Sequence, residues 1–251
     1  MATLSTWDEY IPKKRIGCLS PLQLIENGPF EFYHLAPKDV MTIYVSVGLT
    51  KFTAEDVERV FEPIDKLVAS LMARNCDTIV QSGTPLPILI GMEAHDKLMK
   101  RIEDSSGKVA GSTVAAVTRA AAHMGIKNIA LANKWTPAMN QNLGKFFARD
   151  GVNVAGVASE PMSPDKFPGL TTEDGMELAY QLGKAAIEQN PKADGLYVGG
   201  GAWKCFPVVL RLEKEYGIPC ISNQDASLWH SLHQIDYWKP INGYNALLAS
   251  K

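Results

Sequence analysis

Cysteine is sparse in this chain and never clustered. The four present, Cys18, Cys76, Cys205 and Cys220, form no C-x-x-C pair and no Cys/His group. That excludes a structural zinc site and a disulfide framework, and makes a reducing cytoplasm the expected compartment. Long apolar runs are also missing: stretches such as Ile88–Met92 fall far short of the roughly 20 residues that span a bilayer. Met1–Lys14 is polar and lacks the apolar centre of a secretory signal. Charge of one sign is not in excess, with 25 Lys and Arg against 27 Asp and Glu. Neither nucleic acid nor an anionic membrane surface is therefore an expected partner. The chain has no G-x-G-x-x-G, no G-x-x-x-x-G-K-[ST] and no G-x-S-x-G, so a dinucleotide fold, a P-loop and a hydrolase elbow find no support. No metal-ligand cluster and no cofactor fingerprint occur, and the expectation is that no metal and no organic cofactor is used.

What is present is enough apolar residue, 46% of 251, for one large domain or two small ones. Short β-rich runs alternate with longer amphipathic stretches, the mark of βαβ units around parallel sheets. Strands are expected at Ile16–Leu19, Met41–Val47, Thr78–Val80, Asn128–Leu131, Val152–Val157, Leu196–Val198 and Ile218–Ile221. Helical spacing runs over Glu55–Asn75, Thr113–His123, Asp174–Glu188, Val208–Tyr216 and Ala226–His233. The chain also repeats itself. Arg15–Leu19 lines up with Lys127–Leu131, Asp77–Gly83 with Asp194–Gly200, and Val109–Ser112 with Pro219–Ser222. Three weak similarities in one order point to a duplicated α/β unit. The expected fold is α/β: two pseudo-symmetric halves, each a parallel sheet flanked by helices, with an active-site cleft between them. The first half is 15–112, completed by the C-terminal segment 225–251; the second is 113–224.

Strand ends in such a fold face the cleft, and four of them lead into helix starts. Gly83-Thr84-Pro85 offers a turn, a hydroxyl at the N-cap and a proline at the first helical position. Ser112-Thr113 caps an Ala-rich helix, Thr136-Pro137 follows Trp135, and Ser222-x-x-Asp225 has the form of a capping box. Such ends bind carboxylate or phosphate through backbone N–H groups, although capped helices follow strands in any α/β protein. Gly199-Gly200-Gly201 lets backbone approach a ligand closely. Aromatic residues at Phe30, Phe32, Tyr33, Trp135 and Trp203 suit an apolar substrate part or a packed core equally.

Arg15-Ile-Gly-x-x-x-Pro21 and Pro29-x-Glu31-Phe32-Tyr33-x-Leu35-Ala36-Pro37 resemble the opening of bacterial maleate cis-trans isomerases. Gly83-Thr84, Ala132-x-x-Trp135 and Gly217-Ile-Pro-x-Ile-Ser-Asn-Gln224-x-x-x-Leu-Trp229 resemble that group and arylmalonate decarboxylase, both of the aspartate/glutamate racemase superfamily. The resemblance runs from about Arg15 to Tyr244, with the C-terminal piece the most specific. It implies the two-half fold and a cysteine on each half at positions that are Gly83 and Gly200 here. It further implies that the decarboxylase keeps only the second cysteine, as a proton donor, and stabilises charge with a dioxyanion hole. Those positions map onto Thr84, Pro85, Trp135 and Gly201.

Glycine can serve neither as the thiolate of an isomerase nor as the two bases of a racemase. Decarboxylation asks for less: an apolar pocket for the departing carboxylate and N–H groups for the one that remains. The expected catalytic set is accordingly Gly83, Thr84, Gly200, Gly201 and Cys205, with Pro21, Pro85, Ser112, Thr113, Trp135, Trp203, Ser222 and Asn223 binding substrate. Cys205 enters because a thiol at a helix start is acidified, though a packed small hydrophobe is the plainer reading. Cys18, His34, Glu26 and Glu31 are further proton-donor candidates, and so is water. The expected activity is a cofactor-independent lyase that decarboxylates a small substituted malonate or related acid through a carbanion or enediolate. The alternatives are a maleate-type isomerase or racemase with a relocated acid/base residue, and a non-catalytic binder of small carboxylates. The expected partner is the small carboxylate itself, with a homo-oligomer left open.

Overall fold

Two four-stranded parallel sheets form the frame of the computed structural model, which describes residues 10–22, 25, 27–51, 53–200 and 203–251. The first half contains β1 (Lys14–Leu22), α1 (Asn27–Leu35), β2 (Val40–Leu49), α2 (Ala54–Phe61), α3 (Ile64–Met72), β3 (Thr78–Gln81), α4 (Pro85–Ile90), α5 (Met92–Ser106) and β4 (Ala110–Ser112). After α6 (Thr113–His123) come β5 (Asn128–Asn133), α7 (Pro137–Arg149), β6 (Asn153–Ser159), a 3-10 turn at Pro164–Gly169, α8 (Thr172–Gln189), β7 (Gly195–Val198), α9 (Phe206–Tyr216) and β8 (Cys220–Ser222). The chain ends with α10 (Asn223–Gln234) and α11 (Ala246–Ala249). None of these helices is long and apolar enough to cross a membrane.

The sheet orders are β2-β1-β3-β4 and β6-β5-β7-β8. Mapping β1 onto β5 makes the two orders identical. The registers agree as well: Ile16 pairs with Thr42 and Thr78, and Ile129 with Val154 and Gly195. The repeat seen in the sequence is thus a repeat of topology, with one shift: the registers equate Ile16 with Ile129, one residue beyond the Asn128 that the sequence match set against it. Central strands β1, β3, β5 and β7 are buried along most of their length, as parallel strands covered on both faces must be.

The halves are tied along a seam. Helix α6 leaves β4 and reaches β8 and α7 of the second sheet; α10 leaves β8 and reaches β3, β4 and α1 of the first. The two helices lie against each other, with Thr113 and Ser227 hydroxyls 3.2 Å apart and Arg119 2.7 Å from His230 Nε2. The C-terminal segment serves both sides. Tyr237 donates to Asp39 at 2.5 Å, while Asn245 donates to the Cys220 carbonyl at 3.0 Å.

The local structure departs from the sequence expectation at particular residues. The single helix expected over Glu55–Asn75 is two, because Pro63 lacks an N–H and clashes with the preceding turn, so α3 starts after it. Helix α5 buries only His95, Leu98 and Ile102, a stripe too narrow to show in the apolar pattern. Phe32 is core, whereas Phe30 and Tyr33 are exposed on α1.

Candidate active site

A cavity of about 340 Å3 opens between the two sheets at the carboxyl ends of their strands, within the range of small-ligand sites. Pro21, Leu22, Leu49, Pro85, Trp135 and Phe167 give it mostly apolar walls; Thr113, Lys134, Asn223, Gln224 and Ser227 supply the polar points.

The strand-end turns differ from those of an enzyme built on paired thiols. Gly83 sits at φ +80, and a Cβ placed on it would lie 2.8 Å from Pro21 Cγ. Gly200 sits at φ +141, and a Cβ there would lie 2.5 Å from Trp203 Nε1. Both backbones are in the region where L side chains are strained, and both sites are already filled from the side. Pro21 occupies one and the Trp203 indole, donating to the Gly199 carbonyl at 3.1 Å, occupies the other.

Thr84 is buried and does not cap α4. Its hydroxyl instead meets Tyr197 at 2.9 Å, and Tyr197 donates to Asn223 Oδ1 at 2.5 Å. This network crosses from the first half to the second. It leaves Nδ2 of Asn223, a residue that lines the cavity, without a partner among the described residues. Gly83 N–H donates to the Thr113 hydroxyl at 3.0 Å.

The expected helix-end anion sites are therefore largely spent on their own chain. Ser112 caps α6 by accepting from Ala115 N–H at 3.2 Å and meets His95 Nε2 at 2.9 Å, behind the cavity wall. Thr136 accepts from Met139 N–H. Ser222 donates from both N–H and hydroxyl to Asp225, at 2.8 and 2.6 Å. Burial raises the Asp225 carboxyl to about 6 even so.

Of the residues expected in the site, Pro21, Gly83, Pro85, Thr113, Trp135, Gly200 and Asn223 line the cavity. Thr84, Ser112, Trp203 and Ser222 stand behind it, and Gly201, like Glu26, lies outside the described residues. Cys205 is corrected outright as a source of thiolate. Its Sγ is buried and donates to the Gly200 carbonyl at 3.3 Å. Burial drives its pKa well above the ordinary value, with Glu31 adding to the rise and the Lys134 cation offsetting only part of it. Cys18 is likewise buried, pushed up to about 11, and His34 is exposed with Nδ1 on the Phe30 carbonyl. No cysteine lines the cavity.

Two buried charges went unnoticed or underrated in the sequence. Glu31 on α1 is buried beside the start of α9, with Oε1 unpartnered, and burial lifts it to about 7. Lys134, just past β5, is 2% exposed. Its Nζ lies 4.3 Å from the Trp203 ring centre and 4.5 Å from that of Phe167. Burial lowers its pKa to about 8. The only sequence signal for it is its place in the Ala132-x-x-Trp135 segment, since an isolated lysine reads as surface.

A profile of the family described as arylmalonate decarboxylase matches residues 28–248. The arylmalonate decarboxylase of Bordetella bronchiseptica is 21% identical over 195 residues, 77% of this chain and 80% of that protein. Among solved structures, a liganded arylmalonate decarboxylase carrying a glycine-to-cysteine and a cysteine-to-serine change matches with a TM-score of 0.82. It is 21% identical, with 94% of this chain and 98% of that one covered. A cysteine-to-serine mutant of Nocardia farcinica maleate cis-trans isomerase, with a covalently bound succinylcysteine intermediate, matches with a TM-score of 0.78. That structure is 15% identical over 95% and 99% of the two chains. The structural likenesses establish a shared fold.

Proposed function

This chain belongs to the arylmalonate decarboxylase family, and from that premise we propose that it is a cofactor-independent carboxy-lyase acting on a small α-substituted malonate. The observation that carries this reading is a strand-end cavity with no thiol in its wall. The isomerase relative is described with a succinylcysteine intermediate, and such a route needs a cysteine sulfur within reach of substrate. Here Cys205 faces the Gly200 carbonyl and is held protonated by burial.

Decarboxylation makes a lighter demand. One carboxylate sits against the apolar walls, where its charge is poorly solvated, and it leaves as neutral CO2 when the C–C bond breaks, its charge passing to the fragment that stays. The electron pair left behind spreads onto the second carboxylate as an enediolate, and pre-oriented donors lower the barrier by meeting that charge. Asn223 Nδ2, unpartnered and held by the Tyr197 bond to its Oδ1, is such a donor. Trp135 and Phe167 provide flat apolar surface for the α-substituent.

The test is incubation with phenylmalonate, α-methyl-α-phenylmalonate and maleate in D2O, followed by NMR. Release of CO2 with one deuterium at the α carbon, and no fumarate from maleate, is the expected result. Fumarate formation, or tight binding of all three acids without turnover, would overturn the reading.

A further inference from the structure

The cavity holds a charge that nothing neutralises. Lys134 Nζ is buried and has no hydrogen-bond acceptor and no carboxylate within ion-pair distance among the described residues. The faces of Trp203 and Phe167 attract the ammonium. They accept none of its three N–H bonds, however, and an unsatisfied buried cation is costly. A methionine would fill the same space between the rings at no such cost. Lys134 is also among the residues that line the cavity, and a ligand bound there would give the three free N–H bonds an acceptor.

The decarboxylase reading, on which this inference rests, also needs a Brønsted acid, because loss of CO2 leaves a carbanion. Among the described lining residues only Tyr44, Asp165 and Lys134 carry an ionisable proton. Asp165 accepts a bond from Ser163 that keeps it ionised, and so has no proton to give. Tyr44 is raised well above its ordinary value by burial and makes a poor acid. We propose that Lys134 is the proton donor, delivering an Nζ–H to the carbon from which CO2 departs.

The step balances without a co-reactant. The C–C bond breaks and its electron pair forms the enediolate. The N–H bond then breaks, its proton forms the new C–H bond, and Lys134 remains as a neutral amine that recovers a proton from water between turnovers. Four titratable groups lie around it: Tyr44 from β2 and Asp165 from the 3-10 turn share the cavity lining with Lys134, Cys205 ahead of α9 couples to its charge, and Glu31 couples to Cys205. Burial raises Tyr44 and Cys205 well above their ordinary values, and the Ser163 bond lowers Asp165. Around neutral pH Lys134 itself therefore sets the profile unless Glu31 intervenes, and Glu31→Gln separates the two.

Lys134→Arg keeps the charge at every accessible pH but holds its protons too tightly to donate. Lys134→Met keeps the stem and loses both. Both variants are expected to lose 100-fold or more in kcat on phenylmalonate, while Lys134→Arg holds the product phenylacetate within tenfold of wild type by calorimetry. Wild-type kcat should fall as pH rises past about 8, and should do so in Glu31→Gln as well. A Lys134→Arg enzyme within tenfold of wild-type kcat would overturn the proposal, because charge alone would then suffice. A readout free of turnover keeps the two readings apart. In protein labelled with 13C at lysine Cε, the resonance missing from Lys134→Met should shift when phenylacetate is added. Binding of phenylacetate with that resonance unmoved overturns the donor. A shift without CO2 release from any malonate overturns the decarboxylase, and the donor role with it.

Discussion

The two halves share strand order and register, yet they close their ends of the cavity in opposite ways. In the first half Pro21, carried on β1 itself, fills the place beside Gly83, and the neighbouring hydroxyls of Thr84 and Thr113 are all hydrogen bonded. In the second, the Trp203 indole folds back over Gly200 and a bare ammonium stands on its ring. One end is closed by an apolar ring; the other is closed by an indole that bears a buried cation. Duplication supplied the symmetric frame, and the difference is confined to what sits beside two glycines. A polar group left unpaired inside a well-packed protein costs stability, and that cost is the asymmetry from which the proposed role of Lys134 starts.

That contrast can be broken first at the glycines. Gly200→Cys forces a side chain onto φ +141 and to within 2.5 Å of a buried indole, and strain and overpacking together should remove about 4 kcal/mol. Gly83→Cys meets Pro21 at 2.8 Å and should lose about half as much, roughly 2 kcal/mol. Urea denaturation measures both. Adding Trp203→Ala to Gly200→Cys should be cheaper than the sum of the single changes; strict additivity would mean the indole is not the obstacle.

Glu31 sharpens the comparison next, because it belongs to the first half but is buried against the second. Its folded pKa of about 7 lies above the unfolded value, so the folded state binds the extra proton. Its cost is absent below about pH 4 and is complete once pH has risen past 7. Stability should therefore fall by about 3 kcal/mol across that window. Asp225, raised to about 6, adds a slope of the same sign and similar size. Glu31→Gln should flatten about half of it, read as Tm against pH; an unchanged slope would assign it all to Asp225. The smallest effect is expected from Tyr197→Phe, which deletes the hydroxyl between Thr84 and Asn223. Thr84 can still donate to Asn223 directly, so about 1 kcal/mol should be lost. A loss above about 3 kcal/mol would mean this single bridge holds the halves in register.

Much of this was legible in the residues. The order of short apolar runs and the repeat at Asp77–Gly83 and Asp194–Gly200 contain both sheets, because parallel strands buried on two faces carry a continuous apolar signal. The glycines of the two turns marked the cavity, since positive φ leaves few other residues. Pairings across 100 residues were not legible. The Thr84 hydroxyl reads as an N-cap until Tyr197, 113 positions away, is found to claim it. Cys205 reads as an acidified thiol until the Gly200 carbonyl and full burial are seen. Lys134 was invisible for the opposite reason: lysine in a strand-end loop is ordinarily wet, and only the rings of Phe167 and Trp203, 33 and 69 residues on, make it dry.

The exchange of α6 and α10 along the seam has a bearing on how ligand gets in and out. Each sheet is covered partly by a helix that begins on the other, so the two sheets cannot swing apart like shells without dragging a buried helix through the opposite core. Entry and exit are left to small local rearrangements at the rim, where the Pro164–Gly169 turn supplies Pro164, Asp165 and Phe167 to the cavity wall. Cutting the chain between Ser112 and Thr113 would leave both seam helices on the C-terminal piece, and the N-terminal piece without these helices that pack on its sheet. Such pieces should regain structure only when mixed, as the two parts of a single cooperative unit.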